Sequence, residues 1–600
     1  MPIKTNKISY DINYITLAQK FDFFKLSTTD DYFKGGAQML DAPPVENNIQ
    51  SVFFEHGKSF YVMMISSQNN RAQLKTLLQT ADEGSKISFE KIEATALQSN
   101  ILIQLLLNGI DNCSDDILKF NNLTGHLYCT HPNWFVSGKV ASADAIIKIP
   151  CLEIRLPNDC ELLLSVHTLT SEHLKKKITF RKKKFEDYPK YVLSDMNTIR
   201  RRLKNESATG YIMRQTDGKK TDIPFLSIQN KEQFDCSKMG VLCNIKRRFN
   251  KKYAGLCSIE FADVSETSFR NHKIKQDKIF SAAANGYLLS HKIHIVDSIG
   301  DKYSEIFCGE IVNLLKEHYN VKASIGKRLT KDALNIVLIH NAAYYIDGDD
   351  PHNKPHNGFV VQHITFEDYT KDSKFALKTV LNELLIKDDL AHGKIILFDW
   401  SALGIGNVSF GIREEIDGID RFFFMDIVSD GTFHISEQKL DLFNMNEYSS
   451  CLRIFEDNEK IRGLIRDSQG KINAIADTDW FTIPEIDMIN DELSSGNNKL
   501  RGKDARESLL SAVLDIHTFN LPNESGTYYF VGDIGEGMRP KVQCAANIRK
   551  VEQIEDAPDM LPMLLPLMDV TFVRNGQLTV LPFPFKYLRE YTEKLCLQEK

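Results

Sequence analysis

The sequence has no long apolar run, no low-complexity tract and no internal repeat. No stretch of its 600 residues approaches 18 consecutive apolar residues, the length that a membrane-spanning helix needs. Its first ten residues, MPIKTNKISY, lack the apolar core of a signal peptide. We therefore expect no membrane association and a cytoplasmic location.

Cysteine pairs are also missing. The eleven cysteines are odd in number, lie between Cys113 and Cys596, and form no Cys-x-x-Cys motif. This argues against a disulfide framework and against a zinc knuckle, so we expect reduced, structural thiols. The chain is long enough, and at 42% hydrophobic residues apolar enough, for roughly three to five domains.

Charge is unevenly distributed along the chain. The net charge is −6, yet residues 175–252 contain 22 Lys and Arg against 8 Asp and Glu, an excess of +14 that leaves −20 elsewhere. Aromatic residues are interspersed among these basic clusters, which is typical of a polyanion-binding surface. The alternative is a solvated face without a ligand. The candidate nucleic-acid backbone contacts are Arg200, Arg201, Arg202, Lys246, Arg247 and Arg248.

The first 280 residues or so read as a mixed, strand-rich α+β region, and an α/β pattern follows. Residues 292–297 and 334–340 have the composition of buried strands, and 305–319 forms an amphipathic helical pattern between them. A helix at 373–386 and a strand at 394–398 are predicted next. The region 285–393 is thus Rossmann-like, but it lacks the Gly-x-Gly-x-x-Gly loop of a dinucleotide site.

Three segments in the C-terminal half carry a family resemblance. The stretch 581–591, LPFPFKYLREY, resembles the end of an Argonaute PIWI domain, where the second position after the tyrosine holds the last catalytic His or Asp. Here that position is Arg589. By the same resemblance the first catalytic Asp corresponds to Arg413 in Phe-Gly-Ile-Arg, followed by a hairpin turn at Asp430-Gly431, and a third position is Asp467 in Gly-Leu-Ile-Arg-Asp. Two-metal hydrolysis needs several converging carboxylates, so the resemblance implies an inactive member.

The resemblance extends to the Argonaute MID domain, which holds the 5′ phosphate of a guide strand. The corresponding residues are Tyr345, Lys354, Gln362 and Lys387, a set of ammonium and neutral donors suited to a phosphate. A second lysine found in many members is Glu383 here. The resemblance does not require a cofactor, and it is compatible with a Mg²⁺ ion at the 5′ phosphate of the guide.

The implied organisation is multidomain and bilobed. It comprises an N-terminal and linker-1-like region (1–165), a basic region with a reduced or absent PAZ domain (166–284), a Rossmann-like MID domain (285–393) and an RNase H-like PIWI domain (394–600). The implied function is prokaryotic host defence. A short guide DNA or RNA would find a complementary strand of an invading element and activate a partner effector, such as a nuclease, a helicase-nuclease or an NAD-depleting enzyme.

Two alternatives remain open at this stage. Asp399, Asp426 and Asp467 could form an acidic cluster on adjacent strands and give an active guided endonuclease. The chain could instead be a nucleic-acid-binding scaffold that never holds a guide. The sequence does not distinguish DNA from RNA for guide or target.

Overall fold

The computed structural model describes most of the chain. The described residues are 4–28, 48–56, 59–81, 87–113, 115–140, 143–157, 161–177, 188–203, 205–215, 223–264, 270–272, 286–345, 350–367, 373–439, 446–496, 516–522, 524–531, 541–542, 547–570 and 580–599. No helix within these ranges combines the length and the hydropathy needed to cross a bilayer.

The described elements include both strands and helices. The strands are β1 Lys4–Ile12, β2 Phe21–Thr28, β3 Ile49–His56, β4 Ser59–Ile65, β5 Ile87–Ile92, β6 Lys119–Leu123, β7 His126–Thr130, β8 Val136–Val140, β9 Ala143–Arg155, β10 Leu163–Ser171, β11 Tyr191–Leu193, β12 Ile199–Arg201, β13 Tyr211–Gln215, β14 Leu226–Ser227, β15 Cys257–Asp263, β16 Arg270–His272, β17 Ile293–Asp297, β18 Ala323–Gly326, β19 Leu334–Ile339, β20 Val360–Thr365, β21 Val408–Ile416, β22 Ile419–Ile427, β23 Phe433–Gln438, β24 Ile461–Asp467, β25 Ile472–Ile483, β26 Ile516–Phe519, β27 Thr527–Val531, β28 Lys541–Val542 and β29 Asn547–Gln553. The helices are α1 Tyr14–Lys20, α2 Asn70–Ala81, α3 Ser99–Asn108, α4 Lys231–Asp235, α5 Lys238–Lys252, α6 Lys302–Tyr319, α7 Ser373–His392, α8 Ser449–Asp457, α9 Ile486–Ser495, α10 Leu561–Met568 and α11 Pro584–Glu599.

The chain forms two compact units. The first comprises Met1–Glu266, Asp479–Val513 and Asp533–Ala546, and the second comprises Thr267–Thr478, Leu514–Gly532 and Asn547–Lys600. The first unit contains an antiparallel sheet of order β12-β11-β13-β10-β9-β7-β6, with β8 added on β9, and a second sheet of order β3-β4-β2-β5. The strand-rich character expected for the first 280 residues is confirmed.

Helix α5 is the central helix of the first unit. It begins after Ser237, whose hydroxyl accepts a hydrogen bond from the Gly240 backbone N–H, as an N-cap should. Its apolar face, which includes Val241, Ile245 and Phe249, is buried in the same core as α3. The basic residues near its C-terminus therefore project from a helix whose position is fixed by packing.

The second unit contains a four-stranded parallel sheet of order β18-β17-β19-β20. The predicted strands at 292–297 and 334–340 and the helices at 305–319 and 373–386 are confirmed, whereas β18 was not predicted. Inward residues such as Ile295, Ile336 and Ile364 share one core with helices α6 and α7. Both long helices therefore lie on one face of the sheet. The opposite face carries a small separate cluster around Val337 and Val361.

An antiparallel sheet follows in the second unit, with the order β16-β26-β27-β29-β25-β24-β21-β22-β23. Helix α8 packs on one face through Leu452 and Phe455. The C-terminal helix α11 packs on the other face through Phe585 and Leu588, both of which are buried. The turn predicted at Asp430-Gly431 joins β22 to β23, with Gly431 at a φ of 83°.

The strand predicted at 394–398 is wrong. Lys394 forms one isolated β-bridge with Thr432, and the rest of the segment does not pair with a neighbouring strand. Instead, the backbone N–H groups of Ile396 and Leu397 donate to Asp389 Oδ2, at 3.1 and 3.4 Å. A buried carboxylate on α7 thus satisfies the backbone donors that a neighbouring strand would otherwise satisfy.

Candidate functional site

A polar cluster in the second unit joins β20, α7 and α11. Gln362, the third residue of β20, faces α7, where Glu383 and Lys387 are four residues apart and share one face of the helix. The Gln362 side chain bridges the two: its Nε2 donates to Glu383 Oε2, and its Oε1 accepts from Lys387 Nζ, both at 2.5 Å. Lys387 Nζ also donates to the Val361 carbonyl at 3.2 Å. Two of the four predicted phosphate ligands therefore meet.

Helix α11 supplies further charge to this cluster. Lys586 pairs with Glu590 one turn later on the same helix. Burial, followed by the nearby Glu590, raises the pKa of Glu383. Burial and Glu590 likewise raise the pKa of Glu593. The cluster thus contains two ammonium groups and three carboxyl groups, two of which ionise less readily than usual.

Lys387 hydrogen-bonds neutral groups, unlike Lys246 on α5. Its two hydrogen-bond acceptors are neutral, an amide oxygen and a backbone carbonyl. No carboxylate directly neutralises its charge within those contacts. The Lys387 charge also acts on the carboxyl groups of Glu383 and Glu593, where it partly offsets the rise in pKa that burial causes.

Tyr345 does not join Gln362 and Lys387. Its hydroxyl accepts from the backbone N–H of His340 at 3.1 Å, just beyond the carboxyl end of β19. Gln362 pairs with Ile336 in the parallel ladder, four residues before His340. At about 3.3 Å per residue, the two sites are about 13 Å apart along the strands. Lys354 is exposed and follows the 3₁₀ turn Pro351–Asn353.

The positions matched to the PIWI catalytic residues do not converge. Strands β21 and β24 run antiparallel, and Asp467 pairs with Val408, five residues from Arg413. That separation is about 17 Å along the strand, far beyond the spacing of a shared metal pair. Arg413 donates to the carbonyls of Phe455 and Glu459, at 2.9 and 2.8 Å, and so fixes the connection from α8 to β24.

Asp467 and Arg589 have local roles in the structure. Asp467 Oδ1 accepts from the backbone N–H groups of Gln469 and Lys471, at 2.9 and 2.8 Å, which holds the turn between β24 and β25. Arg589, on α11, lies 3.7 Å from Glu414. Neither contact requires a metal ion.

The alternative acidic cluster is also dispersed into local hydrogen bonds. Asp426 accepts from the hydroxyls of Ser409 and Tyr448, at 2.5 and 2.6 Å. Asp399 accepts from Ser401 at 2.6 Å and precedes the 3₁₀ turn Trp400–Leu403. Within the described ranges, no group of three or more His, Cys, Asp or Glu side chains is arranged to hold a metal ion.

The basic residues at 200–202 lie in the first unit, on and just after β12. Arg200 pairs with Glu206, at 2.9 and 2.5 Å, and this contact lowers the pKa of Glu206 to about 2. Arg202 pairs with both carboxylate oxygens of Glu172, at 3.1 and 3.2 Å. Arg201 closes β12, where it pairs with Tyr191 of β11. The basic stretch at 181–184 lies outside the described residues.

The basic residues at the end of α5 are paired as well. Lys246 is largely buried and contacts Glu260, at 2.9 Å, and Asp487. Arg247 contacts Asp491 at 2.6 Å. Arg248 contacts Asp116 at 2.9 Å and stacks over the Phe120 ring. These carboxylates lie outside the basic segment in the sequence, so a charge count over that segment could not reveal them.

Sequence reasoning missed two groups of residues. Lys586 and Glu590 complete the cluster around Lys387, and their spacing of four residues on a helix was a usable signal. Three histidines within twelve residues, His352, His356 and His363, approach one another beside β20.

Comparison with known proteins gives no relative. No family model matches the sequence, and no curated protein matches it. Function is therefore inferred from the residues and their geometry.

Proposed function

We propose that this chain is an Argonaute-like protein that binds a short guide DNA or RNA through its 5′ phosphate. The bound guide would recognise the complementary strand of an invading element by base pairing. The protein would bind the backbone phosphates and recognise the shape of the duplex, not its sequence. In this proposal the parallel sheet and α7 act as the Rossmann-like MID domain, and the antiparallel sheet takes the position of the RNase H-like PIWI domain.

The observation that carries the proposal is the environment of Lys387. The family resemblance selects Gln362 and Lys387, which are 25 residues apart in sequence and hydrogen-bonded in the structure. Because the acceptors of Lys387 are neutral, a phosphate can replace them without breaking an ion pair. Gln362 would then offer its amide as a neutral donor to the same phosphate.

Glu383 and Lys586 change the electrostatic environment of Lys387. Glu383 replaces a lysine of the family pattern, and its raised pKa reduces the repulsion between its carboxyl group and a bound phosphate. Lys586 adds a second ammonium group from α11. Mg²⁺ bound together with the guide phosphate would add further positive charge at the site.

We further propose that the chain does not cleave its target. Arg413 and Arg589 stand where the resemblance places metal ligands, and Arg413 and Asp467 are far apart along the ladder. Effector action would then belong to a partner protein that the guide–target complex activates.

Purified protein loaded with a 5′-phosphorylated guide should bind a complementary target and leave it intact in Mg²⁺ or Mn²⁺. The readouts are target retention on the protein and target length on a denaturing gel, with a non-complementary strand as control. Guide-directed cleavage that Asp399→Ala or Asp467→Ala abolishes would establish the active endonuclease instead. Retention that does not depend on complementarity would establish the unguided scaffold.

A further inference from the structure

The hairpin formed by β21 and β22 extends beyond the rest of its sheet. β21 pairs with β24 only over Val408–Gly411, and β22 pairs with β23 only over Phe422–Ile427. The two strands continue to pair with each other as far as Ile416 and Ile419. Within the described ranges, the end of the hairpin is therefore a two-stranded ribbon with no third strand beside it.

The end of this ribbon, residues 415–420, is named the acidic tip. Glu415 and Asp420 lie directly opposite each other across the two strands, which lowers stability because their like charges repel. Asp417 lies at the turn between the strands, and Ile419 is 66% exposed. None of the three carboxylates has an ion-pair partner in the described part of the chain. Such a local cost is expected where residues serve a function outside their own element.

One edge of the parallel sheet carries the opposite charge. β18 pairs with β17 and with no other described strand, so its outer side is open. Lys322 precedes β18, and Lys327 and Arg328 follow it. All three are exposed and have no ion-pair partner among the described residues. Ile325, within the strand, is 51% exposed. Residues 322–328 are named the basic edge.

The basic edge is held in a fixed shape by His294 of β17. The His294 Nε2–H donates to the Arg328 carbonyl at 3.0 Å, and Nδ1 accepts from the Ser324 hydroxyl at 2.8 Å. A Cβ at position 326 would lie 2.8 Å from the ring, so Gly326 is needed for the ring to reach both groups. A surface that is ordered before it binds loses less entropy on binding.

The two surfaces match in charge and in composition. The acidic tip has three carboxylates beside an exposed isoleucine, and the basic edge has three cations beside another. An open edge strand is a template for pairing with another chain, but lysines on the edge disfavour pairing with the same edge of a second copy. The partner of this edge should therefore be acidic.

We propose that the acidic tip of one copy of this chain binds the basic edge of a second copy. Since tip and edge are different surfaces, the contact is heterologous, and each pair retains a free tip and a free edge for further copies. The contact uses none of the residues assigned to guide binding.

Sedimentation of the nuclease-treated full chain over a range of concentrations tests the proposal. At about 0.05 M salt the mean mass should rise with concentration above that of one chain, and about 0.5 M salt should reverse the rise because exposed charges are then screened. A mass of one chain at every concentration in low salt would overturn the proposal. So would association that nuclease treatment abolishes, because nucleic acid would then bridge the copies.

Charge reversal identifies the two surfaces. The tip variant Glu415→Lys/Asp420→Lys and the edge variant Lys327→Glu/Arg328→Glu should each remain single chains. An equimolar mixture of the two should associate again, since the reversed tip meets the reversed edge and the unchanged tip meets the unchanged edge. Lys251→Glu, at an exposed position on α5, is the control and should associate like the wild type.

The mixture also separates a lost contact from a lost fold. Each variant should keep the wild-type melting temperature, because the altered side chains are exposed. If folded variants fail to associate when mixed, or if either variant alone associates like the wild type, the proposed contact is wrong.

Discussion

The end of α5 in the first unit and the middle of α7 in the second handle charge in opposite ways. On α5, Lys246 and Arg247 bond carboxylates, and hydrogen bonds from both lower the pKa of Asp487 although burial opposes the shift. On α7, Lys387 bonds neutral oxygens, and the pKa of its neighbour Glu383 is raised. The cations at the end of α5 are thus paired with carboxylates, whereas Lys387 on α7 hydrogen-bonds neutral oxygens.

This difference matters for ligand binding. A phosphate that approaches Lys246 must displace a carboxylate and leave that carboxylate unpaired, which is costly in a partly buried site. A phosphate that approaches Lys387 displaces an amide oxygen and a backbone carbonyl, neither of which carries a net charge. Anion binding should therefore be centred on α7, and stabilisation by ion pairs on α5.

The largest effect should come from Asp389, a fully buried carboxyl group on α7 with no cation partner among its contacts. Its Oδ2 accepts from the Tyr587 hydroxyl at 2.7 Å, whereas its Oδ1 has no hydrogen-bond partner. Burial, partly opposed by these hydrogen bonds and increased by Asp388, raises the pKa of Asp389 to about 7. The folded state therefore holds a proton that the unfolded chain releases near pH 4.

The raised pKa of Asp389 determines how stability depends on pH. Asp389 contributes most to stability below about pH 4, and its contribution is lost as pH rises through about 7, at up to about 1.4 kcal/mol per pH unit. Asp389→Asn should flatten the fall in melting temperature between pH 4.5 and 8, because an amide does not titrate. Asp399→Asn, at an exposed position, should leave the pH profile unchanged. An unchanged profile in Asp389→Asn would show that this carboxyl group is ionised throughout.

The next largest effect should be at Lys246. Lys246→Met keeps the aliphatic stem but removes the charge that Asp487 and Glu260 share. Because both carboxylates are partly exposed, we expect a loss of about 1–2 kcal/mol in the free energy of unfolding, below the cost of breaking a fully buried pair. Nucleic-acid affinity should not change.

Chemical denaturation and oligonucleotide binding measure the two properties on the same sample. Lys251→Met is the control, since it lies on the same helix with an exposed side chain. A Lys246→Met protein with wild-type stability and weakened binding would reverse the roles assigned to α5 and α7.

The smallest effect should be at the arginines near β12. Each phosphate contact that is lost lowers the slope of log K against log salt by about 0.7–0.9. Arg200 and Arg202 are already paired with Glu206 and Glu172. We therefore expect Arg200→Gln and Arg202→Gln each to change the slope by less than half of the value for one lost phosphate contact. A full unit of change for either variant would place these arginines on the nucleic acid.

Local patterns predicted much of the second unit. Apolar composition identified β17 and β19, helical spacing identified α6 and α7, and Asp430-Gly431 identified a hairpin turn. These features depend on residues within a few positions of each other, which a sequence displays directly.

Long-range contacts account for what the sequence did not reveal. The ion pair of Lys246 depends on Asp487, 241 residues away. The absence of the strand at 394–398 has a local cause, the Asp389 carboxylate seven residues before Ile396, but the sequence does not show that this side chain turns back to the backbone. The separation of Tyr345 from Gln362 follows from the parallel pairing of β19 with β20. Tyr345 lies in the loop beyond the end of β19, whereas Gln362 lies in the middle of β20, so the two differ in position along the strand direction. The meeting of Gln362 with Lys387 was the one long-range contact that the resemblance supplied.

The most direct test of the account compares two oligonucleotides, identical except for a 5′ phosphate or a 5′ hydroxyl, on the wild type and on Lys387→Ala. The wild type should bind the phosphorylated strand more tightly, and Lys387→Ala should lose about 1–3 kcal/mol of that binding while the hydroxyl strand is little affected. Lys594→Ala, at an exposed position on α11, should retain the preference. Equal affinity of the wild type for both strands, or equal losses for both in Lys387→Ala, would contradict a phosphate site at Lys387.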